Sequence, residues 1–214
     1  MTLLNDEIVQ NVKDMLAEIP NEVTLTVFTD DQNCEYCTEI VQLVNEVAAT
    51  SEKVTVEQYE IHKDNDRAQA LNIERAPAIA ITGERDYGLR FYGIPSGYEF
   101  STLLHSIQAA SSGNTDLDDQ VKSFLSDLNK PVNLQVFVTP TCPYCPRAAV
   151  LAMEMAIVSD LVNADVIESA EFPDLANQYN VMGVPLSVVN NQERIEGAAP
   201  PHMVVDAIRK ALAA

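Results

Sequence analysis

Val132-Asn133-Leu134-Gln135-Val136-Phe137-Val138 is followed by Thr139-Pro140-Thr141 and then Cys142-Pro143-Tyr144-Cys145, an apolar strand pattern running into two cysteines three positions apart. The same order occurs earlier, where Val23-Thr24-Leu25-Thr26-Val27-Phe28-Thr29 leads to Cys34-Glu35-Tyr36-Cys37. These are the only four cysteines in 214 residues, and the two pairs stand 108 positions apart. The same interval separates Pro77 from Pro185, so each half carries C-x-Y-C with a proline 43 residues after its first cysteine. A lone C-x-x-C is compatible with metal chemistry or chance. A dithiol and a proline repeated in register point to a duplicated unit built for thiol–disulfide exchange.

The repeat extends along the whole chain. Ile8, Val9, Val12, Met15, Leu16 and Ile19 recur at helical spacing before the first strand, as do Leu117, Val121, Phe124, Leu125 and Leu128 before its counterpart. Behind each dithiol the pattern predicts a helix (40–47 and 148–158), a strand (54–61 and 162–167) and a short helix (66–71 and 174–179). Asn72-Ile73-Glu74-Arg75-Ala76-Pro77 then matches Asn180-Val181-Met182-Gly183-Val184-Pro185. A hairpin and a closing helix complete each half. The seam, Ser111-Ser112-Gly113-Asn114-Thr115-Asp116, is short and polar. It divides the chain into units 1–112 and 113–214, which such a linker should hold packed together. The fold class expected is α/β, two tandem units that are each a mixed sheet flanked by helices.

Composition narrows the function. The 32 acidic residues outnumber 13 basic ones, for a net charge of −19, which repels nucleic-acid phosphates. Such acidity fits a salt-rich cytoplasm or simply a well-solvated surface. No stretch reaches the roughly 20 apolar residues of a membrane span. The N-terminus lacks a basic and an apolar signal region, so the expected location is cytoplasmic. There, paired cysteines are catalytic or metal-bound rather than permanent staples. His62, His105 and His202 have no counterparts across the repeat and read as surface or helix residues, and Met153 and Met155 as packing.

Placing each dithiol between a strand and a helix suggests that the first cysteine caps the helix N-terminus, where unpaired N–H groups favour a thiolate, with the second one turn in and shielded. Cys34 and Cys142 would attack, and Cys37 and Cys145 would resolve the mixed disulfide. Pro77 and Pro185, each opening a strand after a small or β-branched residue (Ala76, Val184), are candidates for cis peptides facing the dithiols, where backbone could pair with an extended substrate. Glu60 and Glu168, in register at the end of the second strand of each unit, are candidates for moving the resolving cysteine's proton. Glu35 and Glu39 beside Cys34 disfavour its thiolate, whereas Arg147 is the nearest charge to Cys142. The second dithiol is therefore expected to be the more reactive.

Each half resembles a thioredoxin-fold unit, and Cys142-Pro143-Tyr144-Cys145 is the motif typical of glutaredoxins. The tandem arrangement is similar to the protein disulfide oxidoreductases of archaea and thermophilic bacteria, and to the double-unit amino-terminal region of alkyl hydroperoxide reductase flavoproteins. The resemblance implies dithiol–disulfide exchange with protein substrates, with redox-active disulfides in place of a bound cofactor. It also implies cis prolines at Ala76–Pro77 and Val184–Pro185, a thioredoxin-reductase-like flavoprotein as electron donor, and a peroxiredoxin among the partners. Glutathione is a poor candidate substrate, because the sequence lacks the clustered basic residues its carboxylates would want. The competing reading is a zinc or iron–sulfur protein using both C-x-x-C pairs. Against it, zinc ribbons separate their pairs by about 15–20 residues, far fewer than here.

Overall fold

The computed structural model describes residues 2–213. Its elements run α1 (Asp6–Leu16), β1 (Val23–Thr29), α2 (Cys37–Ala48), β2 (Val54–Glu60), α3 (Asn65–Ala70), β3 (Ala78–Thr82), β4 (Asp86–Tyr92) and α4 (Glu99–Ser112) in the first half. The second half repeats them as α5 (Asp119–Ser126), β5 (Val132–Val138), α6 (Cys145–Val158), β6 (Val162–Glu168), α7 (Pro173–Gln178), β7 (Leu186–Val189), β8 (Glu193–Glu196) and α8 (Pro201–Ala213). Local chemistry starts the two opening helices alike. The Asn5 side chain accepts from the Ile8 N–H and the Asp118 side chain from the Val121 N–H, satisfying donors that a helix start leaves free.

Within each half, the first strand pairs parallel to the second and antiparallel to the third, which folds back on the fourth as a hairpin. The halves do not form two sheets. β4 pairs parallel to β6, Leu89 opposite Ala164 through Tyr92 opposite Ile167, giving one eight-stranded sheet in the order β2-β1-β3-β4-β6-β5-β7-β8.

Alternation along the strands sends one set of side chains to each face. Leu25, Val27, Leu89, Phe91, Leu134, Val136, Ala164 and Val166 join a core that takes in buried residues of α1, α2, α4, α5, α6 and α8. On the opposite face a smaller cluster gathers Phe28, Tyr92, Phe137 and Ile167 with Ala68 of α3 and Leu175 of α7. Both clusters draw on both halves, and α4 packs against α6 across the seam. Between α3 and α7 this second face is polar. There Arg90, 2 % exposed, gives its Nε–H to the Leu71 carbonyl at 2.8 Å and its two terminal nitrogens to the Asp86 carboxylate at 2.9 and 2.6 Å.

A glycine marks a second place where the halves meet. Gly97 has φ +59, and a Cβ there would lie 2.2 Å from the Pro140 carbonyl oxygen. Without one, the neighbouring Tyr98 N–H reaches that oxygen at 3.0 Å. Gly97→Ala should therefore cost roughly 1–3 kcal/mol in urea unfolding, combining left-handed strain with a backbone clash. Because sheet and core are shared, circular dichroism and tyrosine fluorescence should report a single coincident transition in both proteins.

Candidate active site

Each dithiol lies in the loop joining a central strand to the following helix. Valines, Leu and Phe anchor β1 and β5 in the core, and the chain emerges at their carboxyl ends as Asp30–Tyr36 and Thr139–Tyr144. In the first loop the Asp30 carboxylate accepts the N–H groups of Gln32 at 2.7 Å and Asn33 at 3.3 Å, a local turn that needs no distant partner. The Asp30 N–H approaches Cys37 Sγ at 3.3 Å. In the second loop the Cys142 N–H bonds the Thr139 carbonyl, and the Cys145 N–H approaches the Cys142 carbonyl.

Both pairs are bridged, Cys34 to Cys37 and Cys142 to Cys145, with Cα atoms 5.5 Å apart in each. The helices begin one step later than the sequence pattern implied. α2 starts at Cys37 and α6 at Cys145, with Tyr36 and Tyr144 at the N-cap positions. The second cysteine thus opens the helix, and the first lies in the loop before it. The reason is local: the residues between the cysteines turn the chain, and helical hydrogen bonding begins with the Ile40 N–H on the Tyr36 carbonyl. Shielding of the second cysteine also differs between the sites. Cys145 is 0 % and Cys142 8 % exposed, but Cys34 and Cys37 are both only half-buried. Tyr36 and Tyr144 stand exposed beside them.

The peptide bonds Ala76–Pro77 and Val184–Pro185 are both cis. The loops that deliver them start in the same way. α3 and α7 end in Asn72 and Asn180, whose positive φ values of 52 and 47 reverse the chain. The N–H of Ile73 returns to the Ala68 carbonyl and that of Val181 to the Ala176 carbonyl, both at 2.8 Å. This six-to-one closure needs a left-handed residue at the turn, a conformation asparagine tolerates better than most. It gives a physical meaning to the literal match between 72–77 and 180–185. The result is close approach of sulfur and loop. Cys142 Sγ lies 3.7 Å from the Val184 carbonyl oxygen. Cys34, Ala76 and Pro77 line one cleft of about 480 Å³.

Glu60 and Glu168, equivalent in sequence, are placed differently. Glu60 accepts the N–H groups of His62 at 3.1 Å and Lys63 at 2.7 Å, closing the turn after β2. Glu168 is 6 % exposed, and one of its oxygens accepts the Glu171 N–H while the other has no partner. It borders a small void with Val138, Pro140 and Glu99. Glu99 was not singled out from the sequence. An acid in the first turn of a helix is ordinary, and only the fold reveals that this one is 2 % exposed with neither oxygen hydrogen-bonded. Burial pushes its pKa up to about 7, with the nearby Thr102 hydroxyl working weakly in the other direction. Two unsatisfied carboxyl groups therefore lie behind the strand end that leads to Cys142.

Of the histidines, His62 sits 3.4 Å from Asp30 and His105 3.3 Å from Glu154. Among the described residues, the one group bringing three metal-capable atoms within 4.8 Å is Asp30, Glu60 and His62, which contains no sulfur. No helix is long and apolar enough to cross a membrane.

The family model for the thioredoxin domain matches residues 23–105 and again 132–210. In three dimensions the chain is similar to a protein disulfide oxidoreductase from Aeropyrum pernix, with TM-score 0.90 and 27 % identity, covering 98 % of this chain and 95 % of that one. It is also similar to the NTD_N/C domain of the alkylhydroperoxide reductase AhpF from Enterococcus faecalis, with TM-score 0.88 and 23 % identity, covering 96 % and 99 %. Among curated proteins it is 24 % identical over 195 residues to the alkyl hydroperoxide reductase AhpF of Staphylococcus epidermidis, 89 % of this chain and 35 % of the relative. It is likewise 24 % identical over 186 residues to an NADH dehydrogenase of Bacillus subtilis, 85 % and 34 %. The chain thus spans about a third of the length of these curated relatives.

The buried Glu99 has a consequence for stability. Between pH 4.5, its ordinary value, and about 7 the folded chain keeps a proton that the unfolded chain has released. Stability contributed by this group therefore falls as pH rises through that window, by about 3 kcal/mol in all. Glu99→Gln should remove that portion of the fall. The check is the unfolding free energy at pH 5 minus that at pH 8, compared between wild type and variant by urea titration.

Proposed function

The chain belongs to the thioredoxin domain family, and from that premise we propose that it exchanges disulfides with protein substrates through two dithiols, the second being the more reactive. It is a thiol–disulfide oxidoreductase with two C-x-x-C sites, each able to close a disulfide. We divide it into the catalytic units 1–112 and 113–214.

The observation that carries this reading is the 3.7 Å approach of Cys142 Sγ to the Val184 carbonyl, next to cis Pro185. A backbone presented beside a reactive sulfur can pair with an extended chain and hold its disulfide in line for attack. In the reducing direction, the Cys142 thiolate attacks one sulfur of the substrate disulfide. A mixed disulfide forms and the other substrate sulfur leaves as a thiolate. Cys145, deprotonated, then attacks Cys142 Sγ, closes the bridge and releases the second substrate thiolate. Two electrons pass to the substrate. The same steps run through Cys34 and Cys37, with Ala76–Pro77 as the facing backbone.

Cys145 is fully buried, so its proton needs an acceptor that is also out of water. We assign that role to the pair Glu99 and Glu168, whose unpartnered oxygens lie behind Val138 and Pro140. Glu60 would act in the same way at the first site only through its turn, since its carboxylate is committed to backbone N–H groups there. The relatives named alkyl hydroperoxide reductase and NADH dehydrogenase support a thioredoxin-reductase-like flavoprotein as the electron donor and a peroxiredoxin among the acceptors.

The ranking of the sites follows from charge. α6 has no acid in its first turn and carries Arg147 there, whereas α2 has Glu39, and Glu35 stands between Cys34 and Cys37. Opposite charge near a thiol lowers its pKa and like charge to the thiolate raises it. In chains reduced to one dithiol (Cys34→Ser with Cys37→Ser, or Cys142→Ser with Cys145→Ser), alkylation rate against pH should place the Cys142 thiol about one unit or more below Cys34. Insulin reduction should fall about tenfold further when the second pair is lost than when the first is. A lower pKa at Cys34 overturns the ranking, and full activity without all four sulfurs overturns the function.

A further inference from the structure

We infer that the substrate cleft of the first dithiol is built by both units, and that Glu171, carried by the second unit, makes it prefer disulfides flanked by cationic residues. The inference rests on the reading of Cys34 as an attacking sulfur and names the substrate class of that site.

The near wall of the cleft is Asn33–Tyr36 with the loop 74–77, and its far wall is residues 170–175, the segment joining β6 to α7. The far wall is held in place from both halves. The Glu171 N–H donates to Glu168 at 2.7 Å, and Glu171 Oε1 accepts the Ile94 N–H of the first unit, also at 2.7 Å. Gly93, with φ +91, allows that approach, because a Cβ there would lie 2.7 Å from Glu168 Cβ and 2.8 Å from Glu171 Oε1. With Oε1 engaged, Oε2 remains buried and without a partner. It is an acceptor, set in the wall of the cleft that holds Cys34.

Divergence between the repeats supports a role at this position. The residue 108 positions before Glu171 is Lys63, which in the first unit pairs with Asp31 on the surface. In the second unit a carboxyl group stands at the same place and turns to the other unit's dithiol. Groups facing it come from every wall: Glu168 of β6, Asp174 of α7, Asp30 and Glu35 of the first dithiol loop, and Glu74 of the cis-proline loop, against the single cation Arg75. Burial, together with Glu168 and Glu35, pushes the Glu171 pKa up to about 7, the Ile94 N–H working the other way. A Lys ammonium or Arg guanidinium entering beside a bound disulfide would supply the missing donor and favour the ionised acid.

The test uses the full chain with Cys142→Ser and Cys145→Ser, so that only the first dithiol reacts. Its substrates are matched fluorogenic disulfide peptides bearing Lys, Gln or Glu on both sides of the cystine. At pH 8 and low salt, kcat/KM for the Lys peptide should exceed that for the Gln peptide about tenfold, mainly through KM. The ratio should shrink at pH 6, where Glu171 is protonated, and in 0.5 M salt. Those two trends need no variant. Glu171→Gln should bring the ratio close to one, and Glu171→Lys should favour the Glu peptide. Equal rates for Lys and Gln peptides overturn the proposal. So does a preference that survives Glu171→Gln, or one matched by the second dithiol alone, since that would belong to the overall charge of −19. Failure of all three peptides to react overturns the reading of Cys34 itself, and the charge preference with it.

Discussion

The pairing of β4 with β6 is the contact on which the rest of this molecule depends. Four residue pairs, Leu89–Ala164 to Tyr92–Ile167, turn two sheets into one. Parallel pairing leaves both strands buried on both faces, and here the flanking helices and both apolar clusters extend across the join. Two units that could each have closed on their own surface instead share a core. The loops at the join are then fixed with the precision of a domain interior rather than the looseness of a linker.

That precision reaches the chemistry. The segment after β4 packs on Pro140, two residues from Cys142, and brings Glu99 behind the strand end. The segment after β6 crosses the other way and walls the cleft of Cys34 with Glu171. Each dithiol therefore operates in surroundings contributed by the other unit. The two environments differ because the contacts come from different parts of the repeat. The second sulfur pair is buried over two unsatisfied acids, and the first is half-exposed on an acidic cleft. Duplication supplied equal parts, and the join made them unequal.

Much of this was legible along the chain. The cysteine and proline spacing, the strand into each dithiol and the alternation of helix and strand patterns fixed the order of all sixteen elements to within a few residues. The match of Asn72–Pro77 with Asn180–Pro185 carried a turn signal, since both asparagines adopt the left-handed conformation that ends a short helix. Less legible was the exact start of the catalytic helices. Periodicity registers the buried face further along, at Ile40 and Ala148, and is silent about the first turn. Glu99 and Glu171 were not distinguishable among 32 acids, because an acid's environment is set by what packs around it.

The sequence by itself determined the repeated strand–dithiol–helix plan, the paired prolines and the disulfide chemistry, all encoded by residues within one unit at fixed spacing. Only the tertiary structure decided that the units share a sheet, that carboxyl groups of one half lie at the dithiol of the other, and which sulfurs are hidden from water. Those properties arise from contacts between residues distant along the chain, such as Gly93 with Glu171 and Tyr98 with Pro140. Burial and electrostatic fields depend on distance in space, and linear spacing does not record them.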